Sequence, residues 1–187
     1  MLYDTDDRAY LDGVSGIAVT NLGHQYPRVT EAVAEQASRL IHTSNLFHIG
    51  LQEAVAEQLR AATGMENMFF CNSGAEANEA AIKLARRYGA QKGIASPQIV
   101  VLDGAFHGRT LGALSATGNQ KIRQGFGPLL EGFHRVAPDD LSAVEALAAE
   151  RQDIVAVLVE PILGEGGIKP LATDFLQGLR RVCDQHE

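Results

Sequence analysis

The sequence predicts an α/β fold in which a mostly parallel sheet is covered by helices, after a short N-terminal segment of strands and helix. Two observations carry this prediction. The apolar runs 99–102 and 154–159 are unbroken, and the second is rich in β-branched residues, as in strands buried on both faces. Helical apolar stripes, such as the one at 141–148, alternate with these runs, which is typical of a parallel sheet.

The sequence of the N-terminal part predicts two short strands followed by two helices. Residues 2–19 are expected to form two short strands around the turn-like segment 4–7. An apolar stripe after Pro27 that reaches Ile41 indicates a helix, and a second helix ends at Thr63-Gly64. We assign residues 1–49 to this N-terminal segment and residues 50–187 to a partial cofactor-binding domain.

From residue 67 onward, short apolar runs alternate with helical stripes. The expected elements are a strand at 68–71, a turn at 72–74, a helix from 77 to Gly89, strands at 99–102 and 132–136, a helix at 141–148, a strand at 154–159 and a helix from 175 onward. In such sheets, ligands bind beyond the carboxyl ends of the strands. The sequence therefore directs attention to the residues just after 71, 102 and 159.

Composition excludes several classes of function. The net charge is −7 with no basic block, which disfavours nucleic acid and anionic membranes as partners. No apolar run approaches the roughly 18 residues of a membrane span, and the acidic N-terminus does not resemble a signal peptide. Cys71 and Cys183 are expected to be free, buried thiols. No Cys/His spacing suggests a metal site, and we expect a cytoplasmic protein.

The first chemically informative segment is Asn72-Ser73-Gly74-Ala75-Glu76, where an apolar run meets a helix. Free amides of Gly74 and Ala75 at the helix N-terminus suit a phosphate, and Ser73 can add a hydroxyl. An ordinary capping box, with Glu76 three residues after Ser73, explains the same residues. The two interpretations are compatible.

The second segment, Asp103–Thr110, contains an aromatic ring, an imidazole and a guanidinium between glycines. Phe106 can stack on a heteroaromatic cofactor, and Arg109 can clamp a carboxylate through two parallel hydrogen bonds. The alternatives are a core ring for Phe106, a core histidine for His107 and a surface ion pair for Arg109.

The third segment, Glu160 to Gly167, places two carboxylates after a buried strand. Glu160 needs a partner if it is buried at the strand end, and Glu165 lies on a glycine-rich loop where it can hold or repel a charged substrate group. The alternatives are a structural role for Glu160 and a solvated Glu165. Together, the three segments indicate a site for a phosphorylated aromatic cofactor and an acidic substrate.

These motifs resemble the class III aminotransferases of fold type I. The segments that carry the resemblance are Tyr10–Asp12, Ser15–Val19, Asn21–His24, Phe69–Arg86, Phe106–Thr110 and Val159–Ile162. The resemblance runs from residue 2 to 187, and Gly16–Val19 and Thr43–Leu46 look most like the acetylornithine/ornithine branch. A Rossmann-type nucleotide binder is disfavoured, because no Gly-x-Gly-x-x-Gly follows a first strand.

The resemblance implies pyridoxal 5'-phosphate as the cofactor. It implies cofactor-binding roles for Ser73, Gly74, Ala75, Phe106, His107 and Glu160. The amides of Gly74 and Ala75 would bind the phosphate, and Phe106 would stack on the pyridine ring. Arg109 would bind the α-carboxylate of the substrate. Glu165 resembles a gating glutamate that pairs with a second arginine beyond residue 187.

The reaction implied is the transfer of the ω-amine of N-acetylornithine to 2-oxoglutarate within arginine biosynthesis, by a homodimer. Ornithine, succinylornithine and 4-aminobutyrate remain alternative donors, because Leu163 replaces a usual glutamine and Phe47-His48 replaces two tyrosines of the acetylornithine branch.

None of the four lysines, Lys83, Lys92, Lys121 and Lys169, occupies the position of the family's Schiff-base lysine, and the carboxylate that pairs with the pyridine nitrogen is also expected after residue 187. We therefore expect no catalytic residue in this chain, and expect the chain alone to be inactive and prone to association. The alternative is a non-catalytic, truncated cofactor-binding or interaction module.

Overall fold

The computed structural model describes residues 1–187 and divides them into two compact units, Met1–Met68 and Phe69–Glu187. The domain boundary between residues 49 and 50 stays a prediction. None of the helices combines the length and the apolar character that crossing a bilayer requires.

The first unit contains a hairpin and three helices. Strand β1 (Leu2–Tyr3) pairs antiparallel with β2 (Ala9–Tyr10). Helices α1 (Ser15–Ala18), α2 (Pro27–Arg39) and α3 (Gly50–Thr63) follow. The two short strands expected around residues 4–7 are confirmed. After them, the Asp12 carboxylate accepts hydrogen bonds from the Val14 and Ser15 amides at 3.1 and 2.8 Å and starts the short turn α1, whose residues all have positive φ.

The second unit is built on a three-stranded parallel sheet of order β4-β3-β5. Its elements are α4 (Gly74–Gln91), β3 (Gln98–Leu102), α5 (Leu111–Ala116), α6 (Gln120–Arg123), β4 (Phe133–Val136), α7 (Leu141–Glu150), β5 (Ile154–Leu158), β6 (Ile162–Leu163), β7 (Lys169–Pro170) and α8 (Thr173–His186). Strands β6 and β7 form a small antiparallel hairpin. The parallel sheet surrounded by helices confirms the predicted fold class.

Strand β3 is buried on both faces, as its unbroken apolar sequence predicts. Val100 and Leu102 pack into the core that contains residues of α7 and α8. Ile99 and Val101 point to the opposite core, which contains Ile82 of α4. Because side chains alternate along a strand, β3 joins the two layers of helices, and its carboxyl end is held rigidly.

The predicted strand at 68–71 is absent, because these residues pair with no other strand. An apolar run becomes a strand only where a neighbouring strand accepts and donates its backbone hydrogen bonds. Phe69 is 72% exposed. The expectation that Cys71 is buried is also wrong, since its side chain is exposed, whereas Cys183 is partly buried and both thiols are free.

Helix α4 continues through Gly89, where the sequence predicts its end, and finishes at Gln91. Gly89 is buried, and a Cβ there would lie 2.7 Å from a Pro97 carbon and 2.8 Å from a Val155 methyl carbon. The glycine therefore allows close packing of α4 on the sheet and does not terminate the helix.

We expect Gly89→Ala to lower the free energy of unfolding by about 1–3 kcal/mol through overpacking, although alanine has the higher helix propensity. Urea denaturation followed by circular dichroism measures this. Gly50→Ala is the matched control, because it also changes a helical glycine but has no atom within 4 Å of the new Cβ. Equal effects of the two substitutions would contradict the packing explanation.

Candidate functional site

The N-terminus of α4 is capped and still has two free amides. The Ser73 hydroxyl oxygen accepts a hydrogen bond from the Glu76 amide at 3.2 Å, and the Glu76 carboxylate accepts one from the Asn72 amide at 2.6 Å. These caps do not use the amides of Gly74 and Ala75, which lie in the first turn and have no intrahelical acceptor. An 18-residue helix also presents the positive end of its dipole here. The first turn is therefore suited to an anion.

The segment Phe106–Thr110 follows β3, and three distant side chains hold its backbone. The Phe106 amide donates to Oε2 of Glu160 at 2.9 Å. The His107 amide donates to the hydroxyl of Thr117 at 3.1 Å. The His107 carbonyl accepts from Nδ2 of Asn78 at 2.7 Å, which ties the segment to α4.

Gly108 lets this segment lie directly against the first turn of α4. A Cβ at Gly108 would be 2.9 Å from Cβ of Ala75 and 3.0 Å from Cβ of Ala113. The φ angle of +129° also disfavours any residue with a side chain. The close approach places the Phe106-His107 turn beside the free amides at the start of α4.

Glu160 connects the loops that follow β3 and β5. Besides the Phe106 amide, its carboxylate accepts the Gly164 amide at 3.0 Å. The turn between β6 and β7 also lies against the loop after β3, since a Cβ on Gly166 would lie 3.1 Å from the carbonyl oxygen of Gly104. The carboxylate at this strand end thus has the partners that its partial burial requires.

The His107 imidazole is almost inaccessible, at 3% exposure, and no group of the chain bonds to its Nε2. Burial lowers the pKa of His107, while the charge of Glu160 opposes that shift. A neutral ring follows from this direction. A buried polar atom without a partner is uncommon in native proteins, so Nε2 is available to a bound molecule.

Arg109 and Glu165 are both exposed and form no ion pair within the chain. Arg109 directly follows the anchored turn at 106–108, whereas Glu165 lies in the tight turn of the β6–β7 hairpin. The structure therefore brings the predicted residues Ser73 to Ala75, Phe106 and His107 together, and Glu160 accepts a hydrogen bond from the Phe106 amide. It leaves the two charged groups free for other partners.

Three residues that support the site were not identified from the sequence: Asn78, Glu79 and Thr117. Asn78 and Glu79 lie in the segment whose motif resembles the family. Their place in that motif is the sequence signal that could have identified them. Glu79 accepts hydrogen bonds from the Thr110 hydroxyl at 2.5 Å and from the Ala113 amide at 3.0 Å. Burial raises the pKa of Glu79, but these hydrogen bonds outweigh it and bring the pKa below its usual value. Thr117 is fully buried, and no sequence pattern indicated its role.

The arrangement can bind a phosphorylated aromatic molecule. Free amides at the start of α4 suit the phosphate. The half-buried ring of Phe106 offers a stacking surface, and the unpartnered His107 Nε2 offers a hydrogen bond. The exposed, unpaired guanidinium of Arg109 can donate two hydrogen bonds to the carboxylate of a second molecule.

Comparison with protein families gives a match over residues 1–187 to the model described as aminotransferase class-III. The chain is 55% identical over 185 residues to the acetylornithine aminotransferase of Nitrosomonas europaea, covering 99% of this chain and 47% of that protein. The chain thus spans about half the length of the curated relatives it matches. The family resemblance expected from the motifs is confirmed.

Solved structures agree with this assignment. The ornithine aminotransferase of Toxoplasma gondii ME49 matches 98% of this chain and 44% of its own, with a TM-score of 0.91 and 29% identity. The N-acetylornithine aminotransferase of Stenotrophomonas maltophilia K279a matches 98% of this chain and 45% of its own, with a TM-score of 0.80 and 36% identity. A further structure of the Toxoplasma gondii enzyme, also with a TM-score of 0.91 and 29% identity over 98% of this chain and 44% of its own, is described with partial occupancy of PLP at the active site.

The lowered pKa of His107 predicts a pH-dependent stability. The unfolded chain, whose histidine pKa is about 6.5, takes up a proton that the folded state resists. The free energy of unfolding should therefore fall as the pH drops below about 6.5 towards the lower pKa of the folded state. Urea denaturation between pH 5 and 8 measures the slope. His107→Gln should flatten it, and His42→Gln, at an exposed histidine, should leave it unchanged. An equal slope in both variants would show that His107 is not its source.

Proposed function

The chain belongs to the class-III aminotransferases, and from this premise we propose that it binds the cofactor and the substrate carboxylate in pyridoxal-phosphate-dependent transamination. The amino donor in this proposal is an ω-amino compound such as N-acetylornithine, and the acceptor is 2-oxoglutarate. The observation that carries the proposal is the contact of Gly108 with Ala75, which joins the anion-binding first turn of α4 to the Phe106–Arg109 segment.

The first turn of α4 would hold the phosphate. The amides of Gly74 and Ala75 would donate hydrogen bonds to its oxygens, and the Ser73 hydroxyl would add a further hydrogen-bonding group. The helix dipole favours the dianionic form. Because α4 is packed against the sheet through Gly89, the phosphate is fixed relative to the carboxyl ends of the strands.

Phe106, His107 and Glu160 would hold the pyridine ring, with Phe106 as the stacking surface. Glu160 holds the backbone of Phe106 through its 2.9 Å hydrogen bond, which fixes the point from which the Phe106 ring projects. The neutral His107 offers Nε2 as a partner without adding charge. When bound, pyridoxal phosphate supplies an electron sink for the carbon that carries the amine.

Arg109 binds the α-carboxylate of the donor. Its guanidinium is exposed and forms no ion pair with a carboxylate of the chain, so it is free to form a bidentate pair with a substrate carboxylate. Glu165 acts as a gate in this proposal, pairing with an arginine outside these 187 residues and releasing it to the dicarboxylate partner.

The identity of 55% to the Nitrosomonas europaea acetylornithine aminotransferase favours N-acetylornithine as the donor. Ornithine, succinylornithine and 4-aminobutyrate are the alternatives. We further propose a cytoplasmic homodimer that serves arginine biosynthesis, as the resemblance to this branch implies.

A second proposal concerns the 187 residues by themselves. None of their four lysines corresponds to the family lysine that bonds to the cofactor, so they bind pyridoxal phosphate without a covalent link and do not transaminate. A non-catalytic cofactor-binding module is the alternative function that this feature favours.

The decisive experiment incubates the purified 187-residue chain with pyridoxal phosphate, removes unbound cofactor by gel filtration, reduces the protein with sodium borohydride and then measures its intact mass. We expect the mass to remain about 20.1 kDa, and we expect no glutamate from N-acetylornithine and 2-oxoglutarate. The same assay on a protein that contains this chain within the full length of its relatives should give a mass increase and glutamate. Turnover by the short chain would contradict the proposed inactivity, and no turnover by the longer protein would contradict the proposed reaction.

Gly108→Ala should weaken binding of pyridoxal phosphate by about tenfold or more, because its Cβ would push the Phe106-His107 turn away from Ala75. Quenching of tyrosine fluorescence on titration with the cofactor measures the Kd. The matched control is Gly125→Ala, which also changes a glycine of positive φ but meets no atom within 4 Å. Equal losses in both variants would point to general backbone strain and against a contact specific to the site.

A further inference from the structure

Helix α5 begins directly after Arg109, and its own first residues do not cap it. Thr110 occupies the N-cap position, but its side chain makes no cap hydrogen bond to the α5 backbone. The cap comes instead from α4: Oε1 of Glu79 accepts the Ala113 amide at 3.0 Å and the Thr110 hydroxyl at 2.5 Å. A carboxylate from another helix thus accepts a hydrogen bond from a backbone amide in the first turn of α5 that has no acceptor within its own helix.

The contact of Glu79 with α5 depends on a glycine. A Cβ at Gly112 would fall on the carboxylate of Glu79, so only glycine lets that group reach the first turn. Residues 112–116 of α5 are all buried, which leaves the helix little freedom to move. The backbone on the C-terminal side of Arg109 is therefore fixed to α4.

The backbone on the N-terminal side of Arg109 is also fixed to α4, through Asn78. Nδ2 of Asn78 donates to the His107 carbonyl at 2.7 Å. Consecutive residues of one helix thus hold the chain on both sides of Arg109, whose own guanidinium has no partner in the chain. Glu79 lies about 7.5 Å along the helix axis from Gly74, at about 1.5 Å per residue. The same rigid helix carries both the phosphate-binding amides and the anchors of Arg109.

We propose that Glu79 is a positioning residue, which sets the place of Arg109 relative to the phosphate-binding turn through its hydrogen bonds to Thr110 and Ala113. This inference rests on the proposed function, in which Arg109 binds the substrate carboxylate. In this role Glu79 acts through Arg109 and not by its own contact with cofactor or substrate. Its effect is on carboxylate affinity and on the order of the α5 N-terminus.

The test measures binding of glutarate, a dicarboxylate without an amine, to a full-length protein containing this chain and saturated with pyridoxal phosphate. Isothermal titration calorimetry gives the Kd for Glu79→Ala, Glu79→Gln, Arg109→Ala and the double variant Glu79→Ala/Arg109→Ala. We expect Glu79→Ala to raise the Kd about tenfold, since hydrogen bonds to a charged group are lost. Glu79→Gln should restore most of the affinity, because an amide oxygen can accept the same two bonds.

The double variant should bind no more weakly than Arg109→Ala alone, because Glu79 acts only through Arg109. A second readout needs no cofactor: hydrogen exchange of the Ala113 amide should accelerate in Glu79→Ala and remain slow in Glu79→Gln. Thr110→Val, which keeps the Ala113 bond, should raise the Kd about threefold. Glu145→Ala, which changes an exposed carboxylate on α7, is the control and should change neither quantity.

The proposal is overturned if Glu79→Ala lowers the melting temperature but binds glutarate like the unsubstituted protein while Arg109→Ala binds weakly, since Glu79 is then only structural. If Arg109→Ala itself binds as tightly as the unsubstituted protein, the role of Arg109 in the proposed function fails, and the proposal falls with it. Thermal unfolding of each variant identifies any that fails to fold, and Glu79→Gln and Thr110→Val then provide the comparison.

Discussion

The site depends on the close approach of Gly108 to Ala75. The sheet orients β3, and α4 is fixed on that sheet, but neither would form a site if the segment after β3 stood away from the start of α4. A Cβ on residue 108 would lie only 2.9 Å from Cβ of Ala75. The two backbones are therefore as near to each other as close packing permits. The free amides at the start of α4 and the segment that carries Phe106 and Arg109 become neighbours for this reason.

Around this contact, the polar groups are arranged as anchors. Asn78, Glu79, Thr117 and Glu160 all form hydrogen bonds to the segment 106–113. Each partly buried carboxylate is thereby satisfied by amides or a hydroxyl, which removes the cost of burying a lone charge. The groups left without partners, His107 Nε2 and the Arg109 guanidinium, are those that the proposed function assigns to the cofactor and the substrate.

Much of this was predictable from the sequence where the signal was local. The unbroken apolar runs predicted β3 and β5, and the helical apolar stripes predicted α4, α7 and α8. Ser73 and Glu76 predicted the N-terminal cap of α4. The predictions failed where a partner elsewhere in the chain was needed. Residues 68–71 are as apolar as β3 but have no strand beside them. Gly89 looked like a helix end, yet it lies against Pro97 and Val155 within a continuing helix.

The sequence alone determined the family and the fold class, and it predicted the residues of the proposed site, because motif residues and apolar periodicity are local properties of the chain. Only the tertiary structure decided which of these residues meet and which groups hold them. The bonds of Glu79 to Thr110 and Ala113 and of Glu160 to Phe106 span tens of residues. No periodicity encodes such pairs, since they arise when α4 and the strand ends pack together and leave buried polar groups that must find partners.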